Sequence, residues 1–595
     1  MKKTSLALGL ILILGFLAYA NSLDNPFIWD DQNLIVANPY IKDIRLIKNL
    51  FTKDLGYGTQ FSNFYRPLQS LSFELDYYLW GLKPFGFHLT NLLLHIGCAV
   101  MLYFLFSLIF PRRKSVGLIT ALFFLVHPVQ TEAVTYISGR ADSLAGLFIL
   151  SSLFLYVKHS LCQSRRKSFL LGSSICFILA LLSKETALIL PFLILLYDIS
   201  FASDKLNFRD KCKFRYSLFF LMSLTYILLR LNVLNFLNQP LFLSEFALRW
   251  RLLSSAKIFA LYLSLLILPL HLHMERSLPM VSTIWDKELF FSLALISLLV
   301  ILAVRSFRSS RVSFFGLIWF VLNLVPVSNI VPLNANMAEH WLYLPSVGLF
   351  LLLALGFDRL LRAAKPLKIL AIILLFFLLG GYSFLSARRN LDWQDPERFF
   401  QNILIYSPDS SEAHNCLGSL YLKQGKIDLA IEQFKQAVEN GRYNYKSYGN
   451  LASALRQNKQ LDLAISVYEQ ALKLRPDIPG LYNNLGNVYA DQGNLTKAQE
   501  MFLQALRLYP EFALCRVNLA KVYFDLGKTD LAVQEAQNAI ALEPEFSSAH
   551  YVLGLIYHKL KQYDLARQSY QRALELNPQL RQAQQNLNRL KELAF

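Results

Sequence analysis

Residues 477–510 read DIPGLYNNLGNVYADQGNLTKAQEMFLQALRLYP, and the pattern of this 34-residue stretch recurs through the last third of the chain. Small residues occupy the same position of five successive units, at Gly418, Ala452, Gly486, Ala520 and Gly554. Alanine or glycine at a crossing lets two helix axes approach closely, so this spacing predicts a pair of packed helices in each unit. Because all five units share one register, the pairs should stack into a superhelix.

The repeat is typical of tetratricopeptide (TPR) repeats. It predicts five repeats over residues 411–580, a linker with a half repeat over 391–410 and a capping helix over 581–595. Stacked pairs form a groove, and asparagines near the start of the first helices are the predicted peptide contacts. They are Asn415, Asn450, Asn484 and Asn518.

The first two thirds of the chain are apolar. The protein has 595 residues, of which 54% are hydrophobic and 17% charged, whereas soluble domains carry about 25% charge. About twelve runs long enough to cross a bilayer lie within residues 1–390. The net charge of +18 sits in short clusters between these runs, as in cytoplasmic loops, so we predict contact with membrane lipids and none with nucleic acid.

The basic clusters also predict topology. Lys2 and Lys3 place the N-terminus inside, the loop 21–85 outside and the TPR region outside. We interpret residues 6–19 as a retained span, against the alternative of a cleaved signal peptide. Spans counted forward from the N-terminus and spans counted back from the later basic clusters give topologies that differ by one crossing. The difference arises between residues 235 and 286. We therefore expect an odd number of spans, eleven or thirteen, with one segment re-entrant or one crossing hidden there.

Polar residues stand near the outer ends of several spans, where ionisable groups are costly and commonly functional. Three cations are predicted to bind an anionic lipid headgroup: Arg66, Arg140 and Lys184. Others are predicted to line a polar cavity: His88, Asn91, His127, Glu132, Asp142, Glu185, Glu339, His340 and Tyr343. The alternative for each is an interfacial anchor or an ion pair.

Asp30 and Asp31 follow the first span directly. Adjacent carboxylates in this position could act as a general base, bind a metal or cap a helix. Transfer of a sugar from a polyprenyl phosphate needs a carboxylate to take a proton from the acceptor hydroxyl. It also needs cations to stabilise the departing phosphate at the membrane surface.

At these residues the sequence resembles the transmembrane and TPR repeat-containing protein O-mannosyltransferase family and its prokaryotic relatives. The resemblance covers nearly the whole chain. The stretches that carry it are Trp29-Asp30-Asp31, Asn38-Pro39, Tyr65-Arg66-Pro67-Leu68, Gly86 to Asn91, His127 to Glu132, Gly139 to Asp142, Lys184-Glu185, Leu324 to Asn329 and Leu342 to Ser346.

The resemblance implies an all-α fold, with a polytopic helical bundle of the GT-C type followed by a TPR solenoid. It implies a glycosyltransferase with a lipid-linked sugar phosphate as donor substrate. Related enzymes can work without metal, so no cofactor is predicted, while the need for a divalent ion stays open. The acidic motif falls on Asp30 and Asp31, with a slight preference for Asp31 as catalytic base. One position departs from the family, which usually shows arginine where this chain has His340.

The predicted function is transfer of a mannose-like sugar from a polyprenyl-phosphate donor to hydroxyl groups of a protein or glycan bound by the TPR groove. Inversion and retention at the sugar both stay open. The alternative is a non-catalytic membrane scaffold whose TPR repeats assemble an envelope or secretory complex. The compact loops favour a bacterial plasma membrane, with the TPR region on the non-cytoplasmic side.

Overall fold

The computed structural model describes residues 2–592 apart from 56–63, 162–165, 202–207, 235–247, 277–280, 282, 284, 331–334, 336 and 442–443. Over these residues the chain forms helices and turns without a β-strand, which confirms the predicted all-α class. The chain divides into two compact units, Met1–Pro408 and Asp409–Phe595.

The described part of the first unit contains sixteen α-helices joined by loops and short 3₁₀ turns. They are α1 (Lys2–Tyr19), α2 (Ile47–Thr52), α3 (Pro67–Trp80), α4 (Pro84–Ile109), α5 (Lys114–Val126), α6 (Thr131–Thr135), α7 (Arg140–Leu161), α8 (Arg166–Ser183), α9 (Leu190–Phe201), α10 (Phe208–Leu234), α11 (Leu248–Ile267), α12 (Lys287–Ser309), α13 (Arg311–Leu324), α14 (Ser346–Leu361), α15 (Lys365–Asn390) and α16 (Pro396–Tyr406).

Eight of the helices in the described ranges are long and apolar enough to cross a membrane: α1, α4, α7, α8, α10, α11, α12 and α15. The pair α5 and α6, bent by 57° at His127, makes a ninth if it counts as one span. Helices α9, α13 and α14 are shorter, with 12, 14 and 16 residues. The chain is therefore a multi-pass membrane protein, while the number of crossings stays a prediction.

Helices α12 and α15 present bulky apolar side chains outward. Phe290 and Phe291 of α12 are each 71% exposed, and Phe376 and Phe377 of α15 are 73% and 68% exposed. Water would disfavour such surfaces, whereas acyl chains solvate them. The outward faces of these helices are consistent with contact to lipid.

Helices α13 and α14 approach each other at a pair of glycines. A Cβ atom on Gly348 would lie 2.3 Å from the carbonyl oxygen of Gly316, so a larger residue cannot fit without moving a backbone. Small residues give this close packing in membrane bundles, where helices gain little from burying apolar surface. Nearby, the Trp319 indole N–H donates to the carbonyl of Leu344 over 2.8 Å, which fixes the turn before α14.

Both ends of α11 lie on the same side of the bundle. Arg251 donates to the carbonyl of Asn329, which follows α13, and His127, which follows α5, contacts the carbonyl of Leu266. Helices α5 and α13 both begin at a basic residue, on the side predicted to be inside. The far ends of α5 and α13 thus lie at the same end of the bundle, and both ends of α11 contact that end.

Helix α16 packs against the outer loop of the first unit. The rings of Phe399 and Phe400 lie 5.8 and 5.6 Å from the ring of Trp29. Trp29 has a left-handed backbone with φ of 57°, which a bulky side chain adopts only when its surroundings hold it there. The repeat pattern places α16 in a half repeat. The helix thus contacts the loop that carries Asp30 and Asp31.

The second unit consists of five helix pairs and a final helix. Its helices are α17 (Ser411–Lys423), α18 (Ile427–Asn440), α19 (Tyr445–Gln457), α20 (Leu461–Leu474), α21 (Pro479–Asp491), α22 (Leu495–Leu508), α23 (Ala513–Asp525), α24 (Thr529–Leu542), α25 (Ser547–Lys559), α26 (Tyr563–Leu576) and α27 (Arg581–Glu592). Residues 593–595 of the predicted capping segment lie outside the described residues.

The small positions of the repeat work as the spacing predicts. A Cβ atom on Gly486 of α21 would lie 2.8 Å from the ring of Phe502 of α22, so glycine lets the ring fill the crossing. Ala498 and Ala505, on the other side of the same crossing, are fully buried. Between the two helices, Gly493 adopts φ of 82°, a left-handed conformation that ends α21 at low cost.

Candidate functional site

One buried segment organises the outer end of the first unit. Helix α6 and the 3₁₀ turn Ile137–Gly139 follow the break at His127 and Pro128. Glu132 at the start of this segment holds His340, and Tyr136 and Ser138 at its end hold the loop of Asp30 and Asp31. Because four residues span at most about 14 Å, these two polar centres are neighbours.

Asp31 is enclosed by hydrogen bonds from the fold. Its Oδ1 accepts from the backbone N–H of Ser138 over 2.9 Å and from the Ser138 hydroxyl, and its Oδ2 accepts from the Ile28 N–H over 3.1 Å. Burial raises the pKa of Asp31 to about 7, although these hydrogen bonds oppose the shift. The side chain is 2% exposed, so it ties the outer loop to the turn after α6.

Asp30 is only partly buried. Its backbone N–H donates to the Tyr136 hydroxyl oxygen over 3.2 Å. Burial raises the pKa of the Asp30 carboxyl, while a hydrogen bond from Tyr136 and the positive charge of Arg66 lower it. A partly exposed carboxylate with a raised pKa has the properties of a general base near neutral pH.

Arg66 forms a two-point ion pair with Glu185. Its Nε and Nη2 atoms lie 3.0 and 2.6 Å from the two carboxylate oxygens. Burial alone would raise the pKa of Glu185, but the guanidinium of Arg66 lowers it to about 2. The pair engages two of the three guanidinium nitrogens, and the Arg66 side chain is 12% exposed.

Lys184 pairs with Asp142, with Nζ 2.6 Å from a carboxylate oxygen. Asp142 and Tyr343 line a narrow cleft together with Thr186 and Trp341. These two residues therefore lie where the sequence predicts a polar cavity. Lys184 is itself 3% exposed and is linked to the cleft through its partner Asp142.

Arg140 does not fit the predicted role of phosphate contact. Its side chain is fully buried and lies 2.6 Å from Asp76. Its nitrogens also donate to the Asn91 side chain and to the carbonyls of Ser72 and Phe87. No part of this guanidinium is exposed to a ligand, so Arg140 joins α3, α4 and α7 as a structural residue.

The predicted cavity wall of His88 and Asn91 is also wrong, since both side chains are buried among backbone groups. His88 contacts the carbonyl of Asn25 over 3.0 Å. The Asn91 amide donates to the carbonyls of Val134, Tyr136 and Ile137, which fixes the segment after α6. These side chains satisfy carbonyls left unpaired where the helices break.

The prediction that His127 lines a polar cavity is also wrong, because the residue lies at the break between α5 and α6. It is fully buried, and its ring lies 4.6 Å from that of Tyr382. One ring nitrogen accepts from the N–H of Val129, and the other contacts the carbonyl of Leu266. The residue stabilises the break and does not line a cavity.

Glu132, Glu339 and His340 belong to a second charged cluster. The Glu132 carboxylate accepts from the His340 backbone N–H over 3.0 Å and also contacts Nδ1 of its ring. Glu339 is 1% exposed, and its oxygens lie 2.7 Å from Arg276 and 3.8 Å from Arg389. The cluster joins α6, the loop after α11, the 3₁₀ turn at Glu339 and the end of α15.

In the second unit, the predicted groove asparagines form two short ladders between successive first helices. Asn450 donates to Asn415 over 3.4 Å, and Asn518 donates to Asn483 over 3.0 Å. Asn415 is buried and also donates to the Ser447 hydroxyl, whereas Asn484 is exposed. Of the four, Asn484 has the most accessible amide for a bound peptide.

Sequence reasoning missed several residues that build the site. Tyr136 and Ser138 fall between two of the polar stretches, and their proximity to Asp30 and Asp31 depends on a contact over more than a hundred positions. Arg276 and Arg389, which lie beside Glu339, were also missed. Two signals could have found them: a buried carboxylate at position 339, and basic residues at an outer span end, where the positive-inside rule disfavours them.

Comparison with known proteins finds tetratricopeptide repeats in the C-terminal part of the chain. Sequence profiles described as tetratricopeptide repeats match residues 384–445, 477–544 and 517–581, and a TPR repeat profile matches 452–493. Among solved structures, a TPR protein of Thermus thermophilus covers 30% of this chain and 98% of its own, with 21% identity and a TM-score of 0.28.

Similarity to curated proteins extends over most of the chain. The Caenorhabditis elegans protein O-mannosyl-transferase F38B6.6 is 29% identical over 444 residues, 72% of this chain and 62% of its own. The Mus musculus protein O-mannosyl-transferase TMTC4 is 28% identical over 492 residues, 71% of this chain and 65% of its own. The chain thus spans a little less than two thirds of the length of these relatives. It is a homologue of the protein O-mannosyl-transferases, with TPR repeats in its C-terminal part.

Proposed function

We propose that the protein transfers a mannosyl group from a polyprenyl-phosphate donor to a hydroxyl group of a protein, with Asp30 as general base. The similarity to named O-mannosyl-transferases supports the reaction class. The observation that carries the proposal is the contrast between two adjacent carboxylates. Asp31 accepts three hydrogen bonds from the fold, whereas Asp30 stays partly exposed beside Tyr136 and Arg66.

In the proposed step, the Asp30 carboxylate takes the proton of the acceptor hydroxyl. The acceptor oxygen then bonds to the anomeric carbon of the sugar as the bond from that carbon to the phosphate oxygen breaks. The electron pair leaves with the polyprenyl phosphate. Because Asp31 is occupied by hydrogen bonds and is not poised as a second nucleophile, the step is a single displacement with inversion.

The leaving phosphate needs cationic hydrogen-bond donors. Arg66 and Lys184 are each paired with one carboxylate, Glu185 and Asp142, and each side chain has further N–H groups that can donate to a phosphate. Arg140 differs because the Asn91 side chain and two carbonyls occupy its guanidinium in addition to Asp76. We therefore assign the donor phosphate to Arg66 and Lys184.

The protein acceptor is assigned to the TPR groove. Asparagine amides can donate to and accept from a peptide backbone without reading its sequence. Asn484 supports this assignment because its side chain is exposed on a first helix of the repeat. The proposed location is a bacterial plasma membrane, with the second unit on the non-cytoplasmic side.

The proposed topology has eleven crossings. In this topology both ends of α11 lie on one side of the membrane, so α11 does not count as a crossing. Helices α5 and α6 together count as one crossing. The remaining long and short apolar helices then alternate from an inside N-terminus to an outside TPR region. This arrangement removes the conflict of one crossing that the basic clusters leave between residues 235 and 286.

Cysteine labelling tests this topology. In a variant without the six native cysteines, Thr283→Cys should react with an impermeant maleimide added to intact cells, because it lies outside. Ser309→Cys, at the end of α12, should react only after the membrane is opened. If α11 crossed the membrane, Ser309→Cys would react in intact cells and Thr283→Cys would react only after the membrane is opened.

Sugar transfer tests the function itself. Membranes containing the protein should transfer labelled mannose from polyprenyl-phosphate mannose to endogenous proteins, above membranes that lack it. A set of polyprenyl-phosphate donors with other sugars identifies the preferred one. If no donor gives labelling while the TPR region still captures a partner protein, the protein is a membrane scaffold.

The pH dependence of transfer should report on Asp30. A base acts when deprotonated, so kcat/KM should fall as the pH drops through the raised pKa of Asp30. Tyr136→Phe removes a hydrogen bond that lowers this pKa, so its acid limb should move to higher pH. Tyr78→Phe, on an exposed side chain of α3, serves as control. An acid limb that stays in place in Tyr136→Phe would argue against Asp30 as the base.

A further inference from the structure

Two loops at the other end of the first unit bring seven exposed cations together. One loop joins α4 to α5 and the other joins α14 to α15. The cations define the basic patch: Arg112, Arg113, Lys114, Arg359, Arg362, Lys365 and Lys368. The carbonyl of Arg112 accepts a hydrogen bond from Arg362 over 3.2 Å, so the loops touch directly.

A single buried carboxylate holds the two loops in this arrangement. Asp358 is 2% exposed and accepts from the Ser115 hydroxyl over 2.6 Å and from Nε of Arg362 over 3.1 Å. Nε of Arg113 lies 3.9 Å from the same group. Asp358 therefore fixes the position of the patch while neutralising only part of its charge.

The neighbouring helices do not neutralise the rest. The elements in contact with α5 and α14 are α1, α4, α13 and α15, and none of them has an aspartate or glutamate in its described residues. With Asp358 counted, the patch keeps a formal charge of +6. Such a charge density attracts anions, and it does so more strongly in the low dielectric of a membrane surface.

The surroundings of the patch identify the kind of anion. Exposed apolar side chains follow Lys365 and Lys368 directly along α15, including Leu370, Ile372 and Ile373, which are 59%, 50% and 47% exposed. A soluble anion would gain nothing from this apolar strip. A phospholipid would place its headgroup on the cations and its acyl chains along α15.

We infer that the basic patch is a binding site for an anionic phospholipid headgroup, of the phosphatidylglycerol class, at the membrane surface opposite to Asp30. The inference does not depend on sugar transfer. The proposed site has a defined position, because Asp358 holds the two loops together so that their cations face one headgroup. An isolated basic loop presents fewer cations, and they are not held together.

Native mass spectrometry of the full chain in detergent tests the site with phosphatidylglycerol and phosphatidylcholine as probes. The wild-type protein should prefer phosphatidylglycerol. The double variant Arg112→Gln, Lys365→Gln removes one exposed cation from each loop and should lower this preference about tenfold. The fold should survive because neither side chain is buried.

A matched control removes the same charge elsewhere. Arg305→Gln with Arg308→Gln alters the end of α12, a helix whose described residues include no buried carboxylate, and should change the preference less than twofold. Equal losses in both double variants, or no loss in the first, would overturn the site. Displacement of phosphatidylglycerol by inorganic phosphate at equal concentration would overturn the lipid assignment, since it would show a site for soluble anions.

Discussion

Asp30→Asn should abolish sugar transfer while leaving the protein folded. Removal of a general base typically costs a factor of about 10² to 10⁴ in rate. Asparagine has almost the same volume, and Asp30 is partly exposed, so the change breaks no buried contact of the carboxylate with the backbone. The measurement is kcat/KM for mannosyl transfer, together with the midpoint of thermal denaturation.

The adjacent residue supplies the matched control. Asp31→Asn replaces one carboxylate oxygen by an amide that cannot accept from the Ile28 or Ser138 N–H, so it leaves a buried donor unpaired. An unpaired buried donor costs about 1–3 kcal/mol, so the denaturation midpoint should fall. If Asp31→Asn instead stopped transfer at unchanged stability and Asp30→Asn did not, the base would be Asp31.

Arg140→Met should destabilise the first unit strongly. The change leaves the buried carboxylate of Asp76 without its charged partner, while the Thr90 hydroxyl still donates to it. Breaking a buried ion pair from one side costs about 3–5 kcal/mol. The measurement is the denaturation midpoint of the purified protein in detergent, with Arg456→Met, an exposed pair partner in the second unit, as control.

A second substitution shows whether Arg140 has a structural role or binds the donor phosphate. Asp76→Leu combined with Arg140→Met removes both charges, and replacing a buried pair by apolar residues is often tolerated, so stability should recover in part. A phosphate-binding arginine would behave differently. Its loss would raise KM for the donor at unchanged stability, and the second substitution would not restore anything.

The repeat region was the most predictable part of the molecule from sequence. Its helix pairs depend on local spacing, so Gly486 facing Phe502 follows from the register of the repeat alone. The apolar spans were equally visible because each is a continuous run. For α11 the basic clusters indicated only that residues 235–286 hold a re-entrant segment or a hidden crossing, since its composition is that of a span; its contacts at Arg251 and Leu266 support our proposal that it does not cross.

The residues of the candidate site could be identified from sequence, but their individual roles could not. The polar stretches named from sequence do come together at one end of the bundle, as Arg66 with Glu185 and Lys184 with Asp142 illustrate. Sequence cannot show which charges are already paired, because pairing depends on side chains far apart in the chain. Arg140 and Arg66 look alike in sequence, but Arg140 is fully buried against Asp76, whereas Arg66 is 12% exposed beside Glu185.

The most direct test is mannosyl transfer by the purified full chain in liposomes that contain labelled polyprenyl-phosphate mannose and a serine- and threonine-rich acceptor protein. The wild type should label the acceptor, Asp30→Asn should label it at least a hundredfold more slowly, and both proteins should share one denaturation midpoint. Labelling by Asp30→Asn at the wild-type rate, or none by the wild type with any polyprenyl-phosphate sugar, would contradict the account.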